Sequence, residues 1–179
     1  MKIVLVRHGE SEGNIIYEIN DDPKRVVNLT ARGRAQAEAA AERLRDMPFT
    51  QAYASEFPRA QQTAGILLRG RALDLCIDPR LNERRSGMDG LHVSAFHDCV
   101  RADYLRTKPP GGESFLEQME RMRSFLDETA ARHPDGLVLA VSHENPIVAA
   151  LCLASAAPEQ TAHRKLANCE WVELDWPAA

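Results

Sequence analysis

The sequence predicts an α/β protein, a three-layer α/β/α sandwich whose mostly parallel sheet is flanked by helices. Short apolar runs alternate with longer segments of helical period, which is the order that builds parallel β-α units. The runs Ile3–Val6 and Leu137–Val141 contain no polar residue, as expected of strands covered on both faces. Both runs stop at histidine-containing pairs, Arg7-His8 and Ser142-His143. Ligands in such sheets bind at the carboxyl ends of the strands, so these pairs predict a site.

The overall composition is that of an ordinary globular protein. The chain has 179 residues, of which 44% are hydrophobic and 27% charged, and this size predicts a single domain spanning residues 1–179. The net charge of −4 disfavours a broad basic face, and with it nucleic-acid binding. Phosphate-sized anions could therefore be bound only by local groups of cationic side chains.

The sequence also predicts where the protein works. The apolar run before Arg7 is only four residues long, so no signal peptide is predicted, and the longest apolar stretch, Ile147–Ala157, is too short to span a bilayer. The four cysteines are scattered and form no C-x-x-C pair, so we expect small core residues in a reducing compartment. These observations predict a soluble, cytoplasmic protein without a membrane partner.

The first half of the chain contains two predicted helices and three predicted strands. A long polar loop over residues 14–28 follows the first strand, and loops of this length are often functional. Thr30 is the predicted N-cap of a helix that reaches about Asp46, and Gly33 inside it predicts a close packing neighbour. A strand is predicted over residues 52–55, a helix with Pro58 in its first position follows, and a strand over residues 73–77 comes next.

The second half begins with a charged segment, residues 80–92, that has no periodicity and is interpreted as an ordered loop at a site. A short helix over residues 93–106 is expected after it. Ser114 and Glu117 form a capping box for a longer helix that ends near His133, and its methionine and phenylalanine stripe predicts core packing. Asn145-Pro146 then begins another helix, and Trp171–Trp176 is the predicted edge strand.

Four blocks at strand ends or helix starts carry the chemistry. They are Leu5-Val-Arg-His-Gly-Glu-Ser11, Ser55-x-x-x-Arg59-Ala-x-Gln-Thr-Ala64, Leu81-x-Glu83 and Val141-Ser-His143. In this order and spacing they resemble the histidine phosphatase superfamily, which has the phosphoglycerate-mutase-like fold. The resemblance runs nearly end to end and includes Gly111-Gly-Glu-Ser114 and Asn168.

The resemblance implies a role for each matching residue. The residue matching His8 attacks phosphorus and becomes a phosphohistidine, which requires a neutral imidazole. Those matching Arg7 and Arg59 hold phosphate oxygens with forked donors. The counterpart of His143 donates to an oxygen whose charge grows during transfer, and the one matching Glu83 protonates the leaving oxygen and then activates water. Asn14 matches a phosphate-contacting asparagine, and the scheme uses no metal and no cofactor.

Several assignments have competing interpretations. Glu10, Glu113 and Glu144 are alternatives to Glu83 because all three lie near the expected site. Arg84 either reaches the substrate or only pairs with a carboxylate. The remaining histidines lie outside the motifs and are interpreted as surface or packing residues: His92, His97, His133 and His163.

The chain departs from the family pattern in two places. Glu144 follows His143 where the family usually has glycine, whereas Asn145 matches the asparagine that mutases carry. We expect the Glu144 side chain to turn outward, onto Arg84 or Arg85, and to shape substrate selectivity. In addition, only residues 90–108 fill the place of the long insertion of true mutases, which favours an open phosphatase site over a water-excluding mutase site.

The leading interpretation is a metal-independent phosphomonoesterase that acts through a phosphohistidine at His8. A phosphoglycerate-mutase-type isomerase is the alternative enzyme, and a degenerate phospho-ligand binder is the alternative outside catalysis. The expected partner is a phosphorylated small molecule or a phosphoprotein. The physiological substrate and the oligomeric state do not follow from the sequence.

Overall fold

A computed structural model describes residues 1–177 and contains a five-stranded sheet. The strands are β1 (Lys2–Arg7), β2 (Gln51–Ala54), β3 (Leu75–Ile77), β4 (Leu137–Ser142) and β5 (Trp171–Asp175). Their order across the sheet is β3-β2-β4-β1-β5. All pairs are parallel except β1 with β5, which confirms the mostly parallel sheet and its C-terminal edge strand.

Helices cover both faces of the sheet. They are α1 (Glu12–Ile15), α2 (Ala31–Arg43), α3 (Pro58–Leu67), α4 (Val93–Val100), α5 (Phe115–Arg132), α6 (Glu144–Leu153) and α7 (Pro158–Thr161), with a 3₁₀ turn at Pro79–Leu81. One core cluster joins Ile3 and Leu5 to α5 and α6, and the other joins Val4 and Val6 to α2 and α3. Successive side chains of β1 therefore pack into two different cores, because successive side chains of a strand point to opposite faces of the sheet.

The predicted helix starts are confirmed where a local hydrogen bond defines them. Thr30 caps α2 by accepting from the Gly33 amide, and Ser114 and Glu117 form the capping box of α5. Pro58 occupies the first position of α3 as expected. Several ends differ by a few residues: α2 stops at Arg43, α4 stops at Val100, and α6 begins at Glu144, one residue before the predicted Asn145.

Gly33 has the close neighbour that its position in a helix predicted. A Cβ added there would lie 2.0 Å from the Glu10 carbonyl oxygen, and one added at Gly9 would lie 2.4 Å from the Gly33 carbonyl oxygen. The loop after β1 thus packs backbone to backbone against the first turn of α2. Only glycine fits at position 9, because a side chain there would collide with the Gly33 carbonyl.

The loop after α1 is held against the segment that precedes α4. The Ile19 amide donates to the Leu91 carbonyl, and the Val93 amide donates to the Tyr17 carbonyl. The predicted polar loop, residues 14–28, and the predicted charged loop, residues 80–92, are therefore joined by backbone hydrogen bonds. The expectation that the cysteines are core residues is confirmed for Cys152 and Cys169. It is wrong for Cys76, which is exposed on the edge strand β3, and for Cys99, which is half-buried in α4 outside both core clusters.

Within residues 1–177, the structure contains no helix that is both long enough and apolar enough to cross a membrane.

Candidate active site

The predicted site residues converge at the carboxyl ends of the parallel strands. Arg7 and His8 end β1, His143 follows β4, and Arg59 stands in the first turn of the helix after β2. Arg7, His8 and Arg59 line a cavity of about 510 Å³ together with Asn14, Glu83, Arg84, Glu144 and Asn145, whereas His143 is fully buried and contacts Arg59 from outside the cavity lining. Strand order places β4 between β1 and β2, which is why residues distant in sequence meet there.

His8 is held as the tautomer that a nucleophile needs. Its Nδ1 lies 2.7 Å from the Gly9 carbonyl oxygen, and its Nε2 lies 3.2 Å from Nε of Arg59. A carbonyl can only accept and a guanidinium can only donate, so Nδ1 carries the proton and Nε2 presents its lone pair. Burial and the positive charges of Arg59 and Arg7 hold the pKa of His8 well below its ordinary value of 6.5. His8 is therefore neutral near pH 7.

Arg59 is a buried cation between two imidazoles. It is 4% exposed, and its guanidinium carbon lies 4.4 Å from the centre of the Phe57 ring. Two of its nitrogens bind Asn20, Nη1 at the side-chain oxygen and Nη2 at the carbonyl oxygen. None of the ion pairs among residues 1–177 involves Arg59, and burial lowers its pKa to about 10. A buried charge without a counter-ion is costly, and a bound anion would supply one.

His143 contacts Arg59 on one side and Ser55 on the other. Nδ1 lies 3.3 Å from Nη2 of Arg59, and Nε2 lies 2.8 Å from Oγ of Ser55. Since the guanidinium only donates, Nδ1 accepts and Nε2 carries the proton. Burial, then Arg59 and His8, hold the pKa of His143 well below 6.5. Its ring centre lies 5.1 Å from that of His8, so the two imidazoles are direct neighbours, with His8 lining the cavity and His143 fully buried.

Glu144 does not take the predicted outward position onto Arg84 or Arg85. Its Oε2 lies 2.8 Å from Nη1 of Arg7, and its Oε1 lies 3.1 Å from Nζ of Lys165. The prediction was wrong because the helix that Glu144 begins starts beside the end of β1, so Arg7 is the nearer cation. The Arg7 nitrogen also donates to the Leu166 carbonyl. A carboxylate thus occupies one donor of an arginine predicted to hold phosphate.

Glu83 has the environment expected of a proton donor. It lines the cavity, and burial raises its pKa above the ordinary 4.5. Its Oε1 accepts from Nδ2 of Asn145 at 3.1 Å, and the Asn145 side-chain oxygen accepts from the Tyr104 hydroxyl at 2.7 Å. These hydrogen bonds hold the Glu83 carboxylate in place and engage both the nitrogen and the oxygen of the Asn145 side-chain amide. Asn145, which matches the asparagine of mutases and is a candidate substrate ligand, contacts Glu83 in this structure.

Two of the alternatives to Glu83 are engaged elsewhere. Glu10 accepts from the Thr30 hydroxyl at 2.8 Å and pairs with Arg32. Glu113 is 1% exposed and binds Arg121 at 2.7 Å. Neither is among the residues that line the cavity. The geometry therefore favours Glu83 as the acid and base.

Arg84 takes neither of its two predicted partners as a main contact. It is 2% exposed, and its nitrogens donate to the backbone carbonyls of Glu113, Tyr104 and Thr107. Its guanidinium carbon lies 5.0 Å from the Phe96 ring centre and 5.1 Å from that of Tyr104. Arg84 therefore supports the wall of the cavity, and substrate contact stays a prediction.

Asn14 is oriented as a donor. Its side-chain oxygen accepts from the Ser11 amide at 3.0 Å and from Nδ2 of Asn168 at 3.3 Å. Because the oxygen is already used, the amide group of Asn14 is left to donate into the cavity it lines. Asn168, a late motif residue, also donates to the His8 carbonyl at 3.1 Å, so it connects the Asn14 side chain to the backbone of His8.

Sequence reasoning missed several cavity residues. Asn20 orients Arg59 but lay unnoticed in a loop, and only the length of that loop signalled function. His97 and His163 were interpreted as surface or packing residues, and both line the cavity mouth. The sequence offered no signal for either residue, since His97 lies on a short helix and His163 in a loop, both outside the motifs. Across residues 1–177, no group of three His, Cys, Asp or Glu side chains could hold a metal ion.

The comparisons with known proteins agree with this geometry. The family model of the histidine phosphatase superfamily (branch 1) matches residues 3–178. A protein of Enterobacter sp. named "Probable phosphoglycerate mutase GpmB" is 32% identical over 98% of this chain and 85% of its own length. Phosphoserine phosphatase 1 of Hydrogenobacter thermophilus is 32% identical over 85% of this chain and 75% of its own.

Solved structures give the same result. A mycobacterial glucosyl-3-phosphoglycerate phosphatase in complex with VO3 is 26% identical, with a TM-score of 0.84 over 99% of both chains. The α-ribazole phosphatase of Shigella flexneri is 27% identical, with a TM-score of 0.83 over 98% of this chain and 90% of its own. With a family model over nearly its whole length and the motif residues gathered in one cavity, the chain belongs to the histidine phosphatase superfamily.

Proposed function

We propose that the protein is a phosphomonoester hydrolase that acts through a phosphohistidine at His8 and needs no metal. The observation that carries the proposal is the buried Arg59 guanidinium, which has two neutral imidazoles beside it and no carboxylate partner among residues 1–177. A phosphate dianion is the ligand that such a site lacks. Relatives named as phosphatases support hydrolysis as the outcome.

In the first step, the phosphate oxygens replace the contact between Arg59 and Nε2 of His8. The freed lone pair attacks phosphorus as the bond from phosphorus to the leaving oxygen breaks. Arg7, Arg59 and the Asn14 amide hold the remaining oxygens. The negative charge of bound phosphate favours uptake of a solvent proton at Nδ1 of His143, which then donates a hydrogen bond to an oxygen that gains charge and releases the proton to solvent when phosphate leaves.

Glu83 balances the protons. Its raised pKa keeps part of the carboxyl protonated, so that it can give a proton to the departing alcohol oxygen. The carboxylate that results then takes a proton from water, whose oxygen attacks phosphorus and breaks the bond to Nε2 of His8. Inorganic phosphate leaves, and both side chains return to their starting states.

A single-turnover experiment tests the proposal. Enzyme mixed with a ³²P-labelled monoester and quenched in alkali should retain label on His8, and acid treatment should remove it. His8→Gln should abolish both labelling and turnover. His133→Gln, a histidine that contacts Tyr53 away from the cavity, is the matched control and should label normally. Full turnover in His8→Gln would end the proposal.

The alternative is a phosphoglycerate-mutase-type phosphotransferase. Relatives that carry the mutase name favour it, and so does Asn145, which matches the asparagine of mutases. A mutase must return phosphate to a second hydroxyl before water reacts. Adding a bisphosphorylated primer and following isomerisation of phosphoglycerate separates the two functions, since only a mutase gives isomer faster than inorganic phosphate.

A further inference from the structure

The cavity is far larger than a phosphate group needs. The phosphate-binding residues lie at one end of a space of about 510 Å³, a size typical of sites for drug-sized ligands. The rest of the space lies between α4 and the first turns of α6. That remainder must hold the alcohol part of the substrate, because the leaving oxygen has to reach Glu83.

One side of this remainder is the apolar face of α4. Val93, Phe96 and Val100 recur at helical spacing and all line the cavity, followed by Tyr104. In the described chain, neither core cluster includes any residue of α4. An amphipathic helix normally directs its apolar face to a core, so α4 directs its own to the cavity instead.

The wall is held in place before any ligand binds. The buried Arg84 guanidinium lies against the rings of Phe96 and Tyr104, 5.0 and 5.1 Å from their centres. Backbone carbonyls accept from each of its nitrogens, so these hydrogen bonds hold the guanidinium against the two rings before any ligand binds. Val148 of α6, 2% exposed, and Ala162 add further apolar surface to the lining, which also includes the cations Arg101, Arg164 and Lys165. A preformed wall of this kind binds a ligand with little loss of conformational entropy, because its side chains are already fixed.

The wall is also connected to Glu83, the proposed proton donor, through hydrogen bonds. Tyr104 contributes its ring to the wall and its hydroxyl to Asn145, which in turn binds Glu83. A leaving group lying on this ring is therefore next to the residue that protonates its oxygen. Small polyhydroxy or carboxylate alcohols would leave the half-buried Val93 and Phe96 of this face in contact with water.

From this juxtaposition we infer that the substrate is a phosphate monoester of a large alcohol that carries an aromatic ring. The inference rests on the phosphatase function proposed above and specifies the substrate class of the same site. Arg7, Arg59 and His8 take the phosphate, and the α4 face with Tyr104 takes the ring. Reaction chemistry is unchanged: the ring-bearing alcohol leaves with the Glu83 proton, and water restores His8.

The test uses esters of matched alcohols, so that leaving-group chemistry is nearly constant. Ethyl, 2-phenylethyl and 2-(1-naphthyl)ethyl phosphate are compared with 3-phosphoglycerate. Burying each further ring should raise kcat/KM by about tenfold or more. The ratio of naphthylethyl to ethyl phosphate should fall about tenfold in Phe96→Ala and recover in Phe96→Leu. The control Leu116→Ala removes an exposed apolar side chain outside the cavity and should leave the ratio unchanged.

Binding of the corresponding phosphonates separates this inference from the phosphatase proposal. 2-(1-Naphthyl)ethylphosphonate should bind at least tenfold more tightly than ethylphosphonate by calorimetry, whether or not any ester is hydrolysed. Equal affinities, or a tenfold preference for 3-phosphoglycerate over the naphthyl ester, would overturn the inference while leaving the phosphatase proposal intact. Absence of turnover with tight naphthyl binding would overturn the phosphatase proposal alone.

Discussion

Replacing Glu144 by glutamine should tighten the binding of inorganic phosphate. The carboxylate lies 2.8 Å from Arg7, and the two side chains are 20% and 18% exposed, so water screens the pair only in part. Phosphate must compete with Glu144 for the guanidinium and also bear its negative charge. A hydrogen bond to a charged group contributes about 1.5–3 kcal/mol, and a neutral amide keeps roughly half of it.

Phosphate binding should therefore become more favourable by about 1–2 kcal/mol in Glu144→Gln, which lowers the dissociation constant roughly 5- to 30-fold. Isothermal titration with inorganic phosphate at low salt measures it directly. Glu18→Gln is the matched control, because Glu18 lines the same cavity but pairs with Arg25, and it should change affinity less than about twofold. Glutamine is preferred to glycine because it preserves the first turn of α6.

Two outcomes would refute the competition between Glu144 and phosphate. Unchanged affinity in Glu144→Gln would mean that the carboxylate leaves Arg7 without cost. Weaker affinity would mean that Glu144 holds Arg7 in its phosphate-binding position. A second readout is the pH profile: the charge of Glu144 raises the pKa of Glu83, so its removal should move the alkaline limb of kcat/KM to lower pH.

The remaining predictions concern the acid, the metal and the packing of the site. Glu83→Gln should lose much more rate on alkyl phosphates than on p-nitrophenyl phosphate, and its alkaline limb should disappear, because activity falls as Glu83 loses its proton above its raised pKa. Equal losses on both esters would place the acid elsewhere. EDTA should leave kcat unchanged, since arginines neutralise the phosphate, and a strict need for added Mg²⁺ would contradict this. Gly33→Ala should lower the free energy of unfolding by about 2–3 kcal/mol in urea, because its Cβ would meet the Glu10 carbonyl at 2.0 Å, whereas Gly65→Ala, with no atom within 4 Å of its Cβ, should raise it by about 0.5–1 kcal/mol. Similar values for the two variants would show that the loop containing Glu10 can move away from the added methyl group at little cost in free energy.

Much of the fold could be predicted because its signals are local. The apolar run Ile3–Val6 forms a fully buried strand, and Thr30 and Ser114 cap helices through bonds to residues three positions away. Strand and helix ends were less predictable because the last turn depends on packing. The helix after residue 92 was expected to continue to 106 but ends at Val100, where the chain turns to place Tyr104 under Arg84.

For the site, sequence motifs identified the residues that carry reactive groups. His8, Arg59 and Glu83 line one cavity, and the buried His143 contacts Arg59 beside it, as the placement of these residues at strand ends and helix starts predicted. Their protonation states could not be predicted. The tautomer of His8 depends on the Gly9 carbonyl and on Arg59, and its lowered pKa depends on complete burial, which only the assembled layers provide.

The sequence by itself therefore determined the strand-helix order, the capped helix starts and the reactive side chains, since each depends on residues a few positions apart. The tertiary structure alone decided which partner each charge has. Glu144 meets Arg7 across 137 residues of chain, and the nitrogen of His143 meets the Ser55 hydroxyl across 88. Such contacts depend on which strands become neighbours, and the energy of a charge depends on the whole set of groups around it.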